Sequence, residues 1–232
     1  MSIRRFARLA LAGFALLSLL VTPTPGQGMQ WKLPFVKHDE LPRGFAEWHI
    51  PRRDGSMMTA FLAHHQHDPA VRKPLLVYLD GSGAQSQFTR HDQAVGYGMF
   101  GLVGSIAAGG YHVVGIEKRG AVFGEAATPG SAQAASLEYQ EHATFDDRVG
   151  DACLLLATLL EEPTVDPTRV LLMGHSEGAG VAAGVAAREP RVTHVAFLSG
   201  TGPSQFFDLI VLRRKAMQKA GVPAEEIESS VG

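Results

Sequence analysis

The chain is short of cysteine, of net charge and of long hydrophobic runs, and each shortage removes a class of protein. Cys153 is the only cysteine in 232 residues, which excludes an intramolecular disulfide. Set in Ala152-Cys153-Leu154-Leu155-Leu156, it reads as a small buried apolar residue rather than a nucleophile. The formal net charge is −2, so nothing points to a nucleic-acid partner. The N-terminal apolar run from Leu9 to Val21 has 13 residues, too short for a comfortable bilayer span. Internal repeats and low-complexity linkers are also missing.

Arg4, Arg5 and Arg8 precede that apolar run, and Thr22-Pro23-Thr24-Pro25-Gly26-Gln27-Gly28 follows it with small residues suited to cleavage. The pattern predicts a secretory signal peptide over residues 1–28 and export to the periplasm or the exterior, an uncleaved membrane anchor being the alternative. Phe6-Ala7-Arg8 after Arg4-Arg5 departs from the twin-arginine pattern. Loss of three arginines and no acid moves the net charge from −2 to −5, and no membrane association is expected after cleavage. The 204 residues that remain suffice for one domain with a sizeable core. We divide them into an N-terminal extension (29–44), a core (45–204) and a helical segment (205–232).

Strands and helices alternate along the core. Phe45 to Pro51 and Met57 to His65 flank Arg53-Asp54-Gly55-Ser56 and predict an antiparallel hairpin. Pro74 to Leu79 is a continuous apolar run of the buried-strand type, ending at Asp80-Gly81-Ser82-Gly83. A small-residue helix is expected from Met99 to Ala108, then a fourth strand from Tyr111 to Ile116 ending in Glu117-Lys118-Arg119-Gly120. A long loop leads to Thr144, an N-cap with Asp146 and Asp147 behind it, and a helix to Glu162. Arg169 to Met173, Gly178 to Arg188, Val192 to Leu198 and Phe206 to Ala220 complete the series as strand, helix, strand and helix. The pattern predicts a three-layer α/β fold, a mostly parallel sheet covered on both faces with ligands at the carboxyl ends of its strands.

Gly174-His175-Ser176-Glu177-Gly178 sits where one such strand turns into a helix. A serine that attacks a carbonyl must project from a sharp turn, and Gly174 and Gly178 give that turn room. The Glu177 N–H then opens the helix and is placed to donate to a developing oxyanion.

These motifs together resemble the α/β-hydrolase family, over about Phe45 to Gly202. Asp80-Gly81-Ser82-Gly83 is similar to that family's His-Gly-x-Gly oxyanion loop, with Asp80 in place of His. Glu117-Lys118-Arg119-Gly120 resembles its Asp-x-Arg-Gly turn, and the Ser176 segment its nucleophile elbow. The nearest likeness is to the prolyl-oligopeptidase-like and dienelactone-hydrolase-like branches. The resemblance implies Ser176 as nucleophile, the Ser82 and Glu177 N–H groups as oxyanion hole, and a small-molecule ester or peptide substrate. Asp80, Glu117 and Arg119 are placed to line the cleft, as is Glu177, with ion pairs among Glu117, Arg119 and Glu177 the alternative. No cofactor and no metal are implied.

The triad is harder to complete. The family's chain order is Ser, then Asp or Glu, then His. His194 is the only histidine after Ser176, and at the start of its strand it lies about 16 Å below the exit, five residues at ~3.3 Å each. Asp208 is a candidate acid, though its place at a helix start is also favoured by the helix dipole. His175 leaves its strand on the face opposite Ser176, and His64, His65 and His67 lack a matching metal-ligand set. About six of the family's eight strands are accounted for, so the catalytic base is expected beyond Gly232, with residues 205–232 the start of a cap. The sixth strand is then an apolar edge open to self-association. Two functions follow: an exported serine hydrolase, esterase or peptidase, or a non-catalytic binding domain or inactive truncated product on the same fold.

Overall fold

The computed structural model describes residues 31–63, 71–92, 94–125, 135–200 and 204–231. β1 (Phe45–Pro51) and β2 (Met57–Ala63) form the predicted hairpin, with Gly55 at φ 85° in its turn. The sheet continues with β3 (Lys73–Leu79), β6 (His112–Ile116), β7 (Val165–His175) and β8 (His194–Leu198), in the spatial order β1-β2-β6-β3-β7-β8. The last four in that order are mutually parallel. Leu79, Ile116, His175 and Leu198 therefore all deliver their following loops to one edge.

Alternation along β3 explains the layers. Leu75, Val77 and Leu79 enter one core cluster, and Leu76 and Tyr78 enter another, all at most 2% exposed. The first cluster packs against α3 (Phe145–Leu159) and α4 (Glu177–Arg188) through Val149, Leu155, Leu156, Val181 and Val185. The second packs against Phe88 of β4 (Phe88–His91) and Phe100 and Val103 of α1 (Met99–Gly104). Truncating a fully buried leucine such as Leu155 to alanine removes about 2–5 kcal/mol in such a core. The segment before β1 is also anchored: the Trp31 ring packs at a tilt against Trp48 and edge-on against His112, and the Glu162 carboxylate accepts from the Lys32 and Leu33 N–H groups.

The structure adds elements that periodicity did not indicate. β4 and β5 (Ala94–Tyr97) form a separate two-stranded ribbon, its strands too short to register as a periodic pattern. α2 (Leu137–His142) interrupts the expected long loop, its cap made by the Ser136 hydroxyl accepting from the Tyr139 N–H. α5 (Gln205–Lys219) is followed by α6 (Ala224–Val231). The helix expected to Ala108 tightens into a 3-10 turn over Ser105–Gly109. β7 begins earlier than Arg169 because Val165 and Asp166 pair with Lys73 and Pro74 before the register shifts at Pro74/Leu75. No helix among the described residues is long and apolar enough to cross a membrane. The predicted signal peptide lies outside the described residues.

Candidate active site

Ser176 joins β7 to α4 with φ 52° and ψ −122°, a left-handed conformation that costs a non-glycine residue about 1–3 kcal/mol. Two close approaches hold it there. A Cβ at Gly174 would lie 2.2 Å from the Gly178 carbonyl oxygen, and one at Gly178 would lie 2.1 Å from that of Leu79. Only glycine fits either position, as the elbow spacing requires. The Ser176 N–H donates to the Leu198 carbonyl at 2.8 Å, tying the turn to β8.

The 80–83 loop lies directly across from the elbow: a Cβ on Gly81 would be 3.1 Å from Ser176 Cβ. Buried charges fix its peptide planes. Lys118 Nζ, on a side chain 4% exposed, donates to the Gly81 carbonyl at 3.1 Å and lies 3.4 Å from Asp80 Oδ2. In a trans peptide the N–H points opposite to the carbonyl, so the Ser82 N–H is turned away from Lys118. Tyr78 Oη donates to Asp80 Oδ1 at 3.0 Å, and Gln85 Nε2 to the Ser82 carbonyl at 2.9 Å. Asp80 thus serves as a largely buried counter-charge to Lys118.

Arg148, on α3, bridges the two halves of the site. Its Nη2 donates to the Asp80 carbonyl, and its Nη1 lies 3.2 Å from Glu177 Oε2. One guanidinium therefore ties the loop that carries the Ser82 N–H to the residue that carries the Glu177 N–H. Among the described residues, neither of those N–H groups has a hydrogen-bond acceptor. Two unpaired donors flanking a projecting serine are what an oxyanion needs.

Burial shapes the ionisation of the groups beneath. Glu117 accepts from Ser86 Oγ at 2.7 Å and from the Gln87 N–H at 3.3 Å. Burial raises its carboxyl to about 7 in spite of those hydrogen bonds and of Lys118. Burial also lowers the Lys118 ammonium and raises the Tyr78 phenol, with Asp80 opposing the first shift and adding to the second.

Two cavities meet at Ser176. One, about 320 Å³, has a mixed wall that includes Gln85, Gln87, Thr89, Met99 and His175. The other, about 930 Å³, is a groove between α4 and α5. Ser82 and Ser176 line both, Asp80 lines the first, and Glu177 and Asp208 line the second. Glu117 and Arg119 border a separate cavity of about 20 Å³. Arg119 is held by Asp54 at 2.7 Å and Glu138 at 3.1 Å. Glu117, Arg119 and Glu177 thus pair with Ser86, with Asp54 and Glu138, and with Arg148 rather than with one another.

No described histidine is hydrogen-bonded to Ser176 Oγ. His194 pairs with Leu171, four residues before His175, at the far end of the strands. His112 is buried there too, its Nε2 3.0 Å from the Thr164 carbonyl oxygen. His142 Nδ1 is 3.9 Å from Asp147 Oδ2. His175 does line the Ser176 pocket, a placement that strand alternation does not give, because the left-handed turn ends the pleat at Ser176. His64, His65 and His67 lie outside the described residues. No group of three or more metal-ligating side chains occurs among the described residues.

Lys118 and Arg148 are the residues that sequence reasoning passed over. Arg148 left one trace: a cation near the start of a helix runs against the dipole and needs another partner.

Among solved structures, the chain is similar to a putative dienelactone hydrolase from Klebsiella pneumoniae, with a TM-score of 0.52 and 16% identity over 69% of this chain and 61% of that one. The fold is that of the α/β-hydrolases. Acetyl xylan esterase 1 from Thermoanaerobacterium sp. aligns at a TM-score of 0.48 and 20% identity, over 87% of this chain and 65% of that one. Dipeptidyl peptidase 4 from Porphyromonas gingivalis aligns at 0.47 and 16%, over 73% of this chain and 21% of that one. The chain thus spans less than two thirds of the length of each of these α/β-hydrolase-fold structures. No family model matches the sequence, and no curated protein matches it.

Proposed function

We propose that this chain carries the nucleophile and oxyanion hole of an exported serine hydrolase, periplasmic or extracellular, that cleaves a carboxylic ester or peptide bond. The observation that supports the reading is Ser176 at φ 52° between β7 and α4, lining two cavities together with Ser82, while the Ser82 and Glu177 N–H groups have no acceptor among the described residues. A base takes the Ser176 hydroxyl proton while Oγ bonds to the carbonyl carbon, and the carbonyl oxygen becomes an oxyanion held by the Ser82 and Glu177 N–H groups. Collapse breaks the bond to the alcohol or amine, which leaves with the proton. Water then repeats the sequence on the acyl-serine. The base in this reading is a histidine outside the described residues, and Asp208 stands near enough to the groove to be weighed as the acid.

A second reading is a binding domain that does not turn over its ligand. It is favoured by the lack of a described histidine on Ser176. A fluorophosphonate probe separates the two: labelling that disappears in Ser176→Ala supports the hydrolase, and a folded protein that takes no label supports the binding domain. We also expect self-association along β8, where Phe197 is 49% exposed, and sedimentation of a clean monomer would refute that expectation.

A further inference from the structure

Glu117 does not line the cavity of about 320 Å³ beside Ser176, yet it holds two residues that do, Ser86 and Gln87. Its own place is fixed, because its N–H donates to the Thr59 carbonyl of β2 at 3.0 Å. From there Oε2 accepts from Ser86 Oγ at 2.7 Å, and both carboxylate oxygens accept from the Gln87 N–H at 3.3 Å. The Ser86 oxygen in turn accepts from the Phe88 N–H at 3.1 Å, and Gln87 Nε2 donates to the Ile116 carbonyl at 3.0 Å, so the 86–88 segment is stitched to the end of β6. Its remaining ties are two backbone bonds, from the Ser86 N–H to the Glu125 carbonyl at 3.2 Å and from the Gly98 N–H to the Gln87 carbonyl at 3.4 Å. Glu117, Ser86 and Gln87 are 7%, 5% and 4% exposed, so water does not readily replace a bond that is lost. Lys118, the next residue, holds a different part of the same wall through the Gly81 carbonyl.

We propose that Glu117 is a positioning residue for the Ser176 site: in its charged form it pins the 86–88 segment, and so sets the cavity wall against which a substrate is seated. This inference rests on the reading of Ser176 as the nucleophile for its consequence in catalysis, but not for the pinning itself. A carboxylate only accepts, which matches the Ser86 O–H and the Gln87 N–H, whereas protonation turns one oxygen into a donor that faces donors. Hydrogen bonds to the charged form are also the stronger ones. Burial raises the carboxyl to about 7, so both forms are populated near neutral pH. The charged groups acting on it are Lys118, which favours the carboxylate, and Asp80, which opposes it, with Arg119, His142, Arg148 and Asp151 bordering the same small cavity. Ionisation therefore works in two directions. It costs the whole fold a buried charge, and it tightens the one segment that donates to that charge.

Amide hydrogen exchange on the full chain, in the wild type and in Glu117→Gln, reads the segment directly at pH 6 and pH 8. After correction for intrinsic exchange rates, protection of the Gln87 and Phe88 amides should rise about threefold to tenfold with pH in the wild type, while resistance to urea falls over the same interval. In Glu117→Gln that protection should not change with pH, and the difference between the two proteins removes what His142 and His175 contribute. A buried carboxyl that merely fills space would make protection follow the urea result downward; that outcome, or equal behaviour in the two proteins, overturns the proposal. At the site itself, fluorophosphonate labelling at pH 8 should need about threefold to tenfold more probe for half-saturation in Glu117→Gln, with the maximal rate within about twofold, because Lys118 and Arg148 still hold the donor loops. Glu117→Asp keeps both acceptor oxygens and should recover part of the loss. Unchanged half-saturation in a variant that labels also overturns the proposal. If neither protein labels, the hydrolase reading has failed, and the exchange result alone decides the pinning.

Discussion

Replacing Glu117 by glutamine removes a buried negative charge while keeping its shape, and the structure sets the size and sign of the effect. The carboxyl accepts from Ser86 Oγ at 2.7 Å and the Gln87 N–H at 3.3 Å, and burial lifts it from an ordinary 4.5 to about 7. A difference of that size corresponds to about 3 kcal/mol of linkage between proton binding and folding. Its folded value exceeds its unfolded one. Between about pH 4.5 and 7, the folded chain therefore holds a proton that the unfolded chain has released. The contribution of the protonated carboxyl is complete below the lower value and is lost as pH rises through the upper one. Urea unfolding of wild type and Glu117→Gln at pH 4.5, 5.5, 6.5 and 7.5 isolates the group, since all other titrations cancel in the difference. The wild type should lose about 3 kcal/mol relative to the variant across this range. Parallel stability curves, or a difference that grows in favour of the wild type as pH rises, would refute the reasoning.

Three further outcomes follow from the elbow and its supports. Arg148→Met should slow fluorophosphonate labelling of Ser176 roughly tenfold to a hundredfold by releasing both donor loops, and Arg148→Lys should recover only part of the rate, since an ammonium cannot bridge both loops. Unchanged labelling in a folded Arg148→Met protein would rule out the positioning role. Gly178→Ala places a Cβ 2.1 Å from the Leu79 carbonyl oxygen and should cost about 3 kcal/mol, read as a fall in melting temperature of roughly 10 °C. Ser176→Gly should do the opposite, raising stability by about 1 kcal/mol by relieving φ 52° while abolishing labelling; a destabilised variant would contradict the strain assigned to that residue.

Much of the scaffold was legible because its signals are local. Pro74 to Leu79 is apolar on both faces and becomes a central strand, and Thr144 caps α3 by accepting from the Asp147 N–H at 3.2 Å. The elbow could be read because steric necessity fixes both glycines around Ser176. What escaped was long-range or polar. β4 and β5 have four residues each and owe their place to Phe88 reaching the second core cluster. Lys118 was visible inside a motif, but its role depends on β6 lying beside β3, which brings its ammonium under the Gly81 carbonyl. Arg148 touches a loop residue 68 positions away and the first residue of α4, 29 positions away, and no spacing rule encodes that meeting. The groove is similar: Phe145, Ala183 and Leu212, which line it, lie on three different helices, and no pattern within any one of them encodes it.

The central claim is that Ser176 and the Ser82 and Glu177 N–H groups form one preorganised unit, and a crystal structure of the protein treated with an alkyl fluorophosphonate tests it most directly. The expected result is phosphorus bonded to Ser176 Oγ, with the phosphoryl oxygen about 2.7–3.1 Å from both backbone nitrogens. An adduct on another residue, or a phosphoryl oxygen turned to solvent away from Ser82 and Glu177, would contradict it.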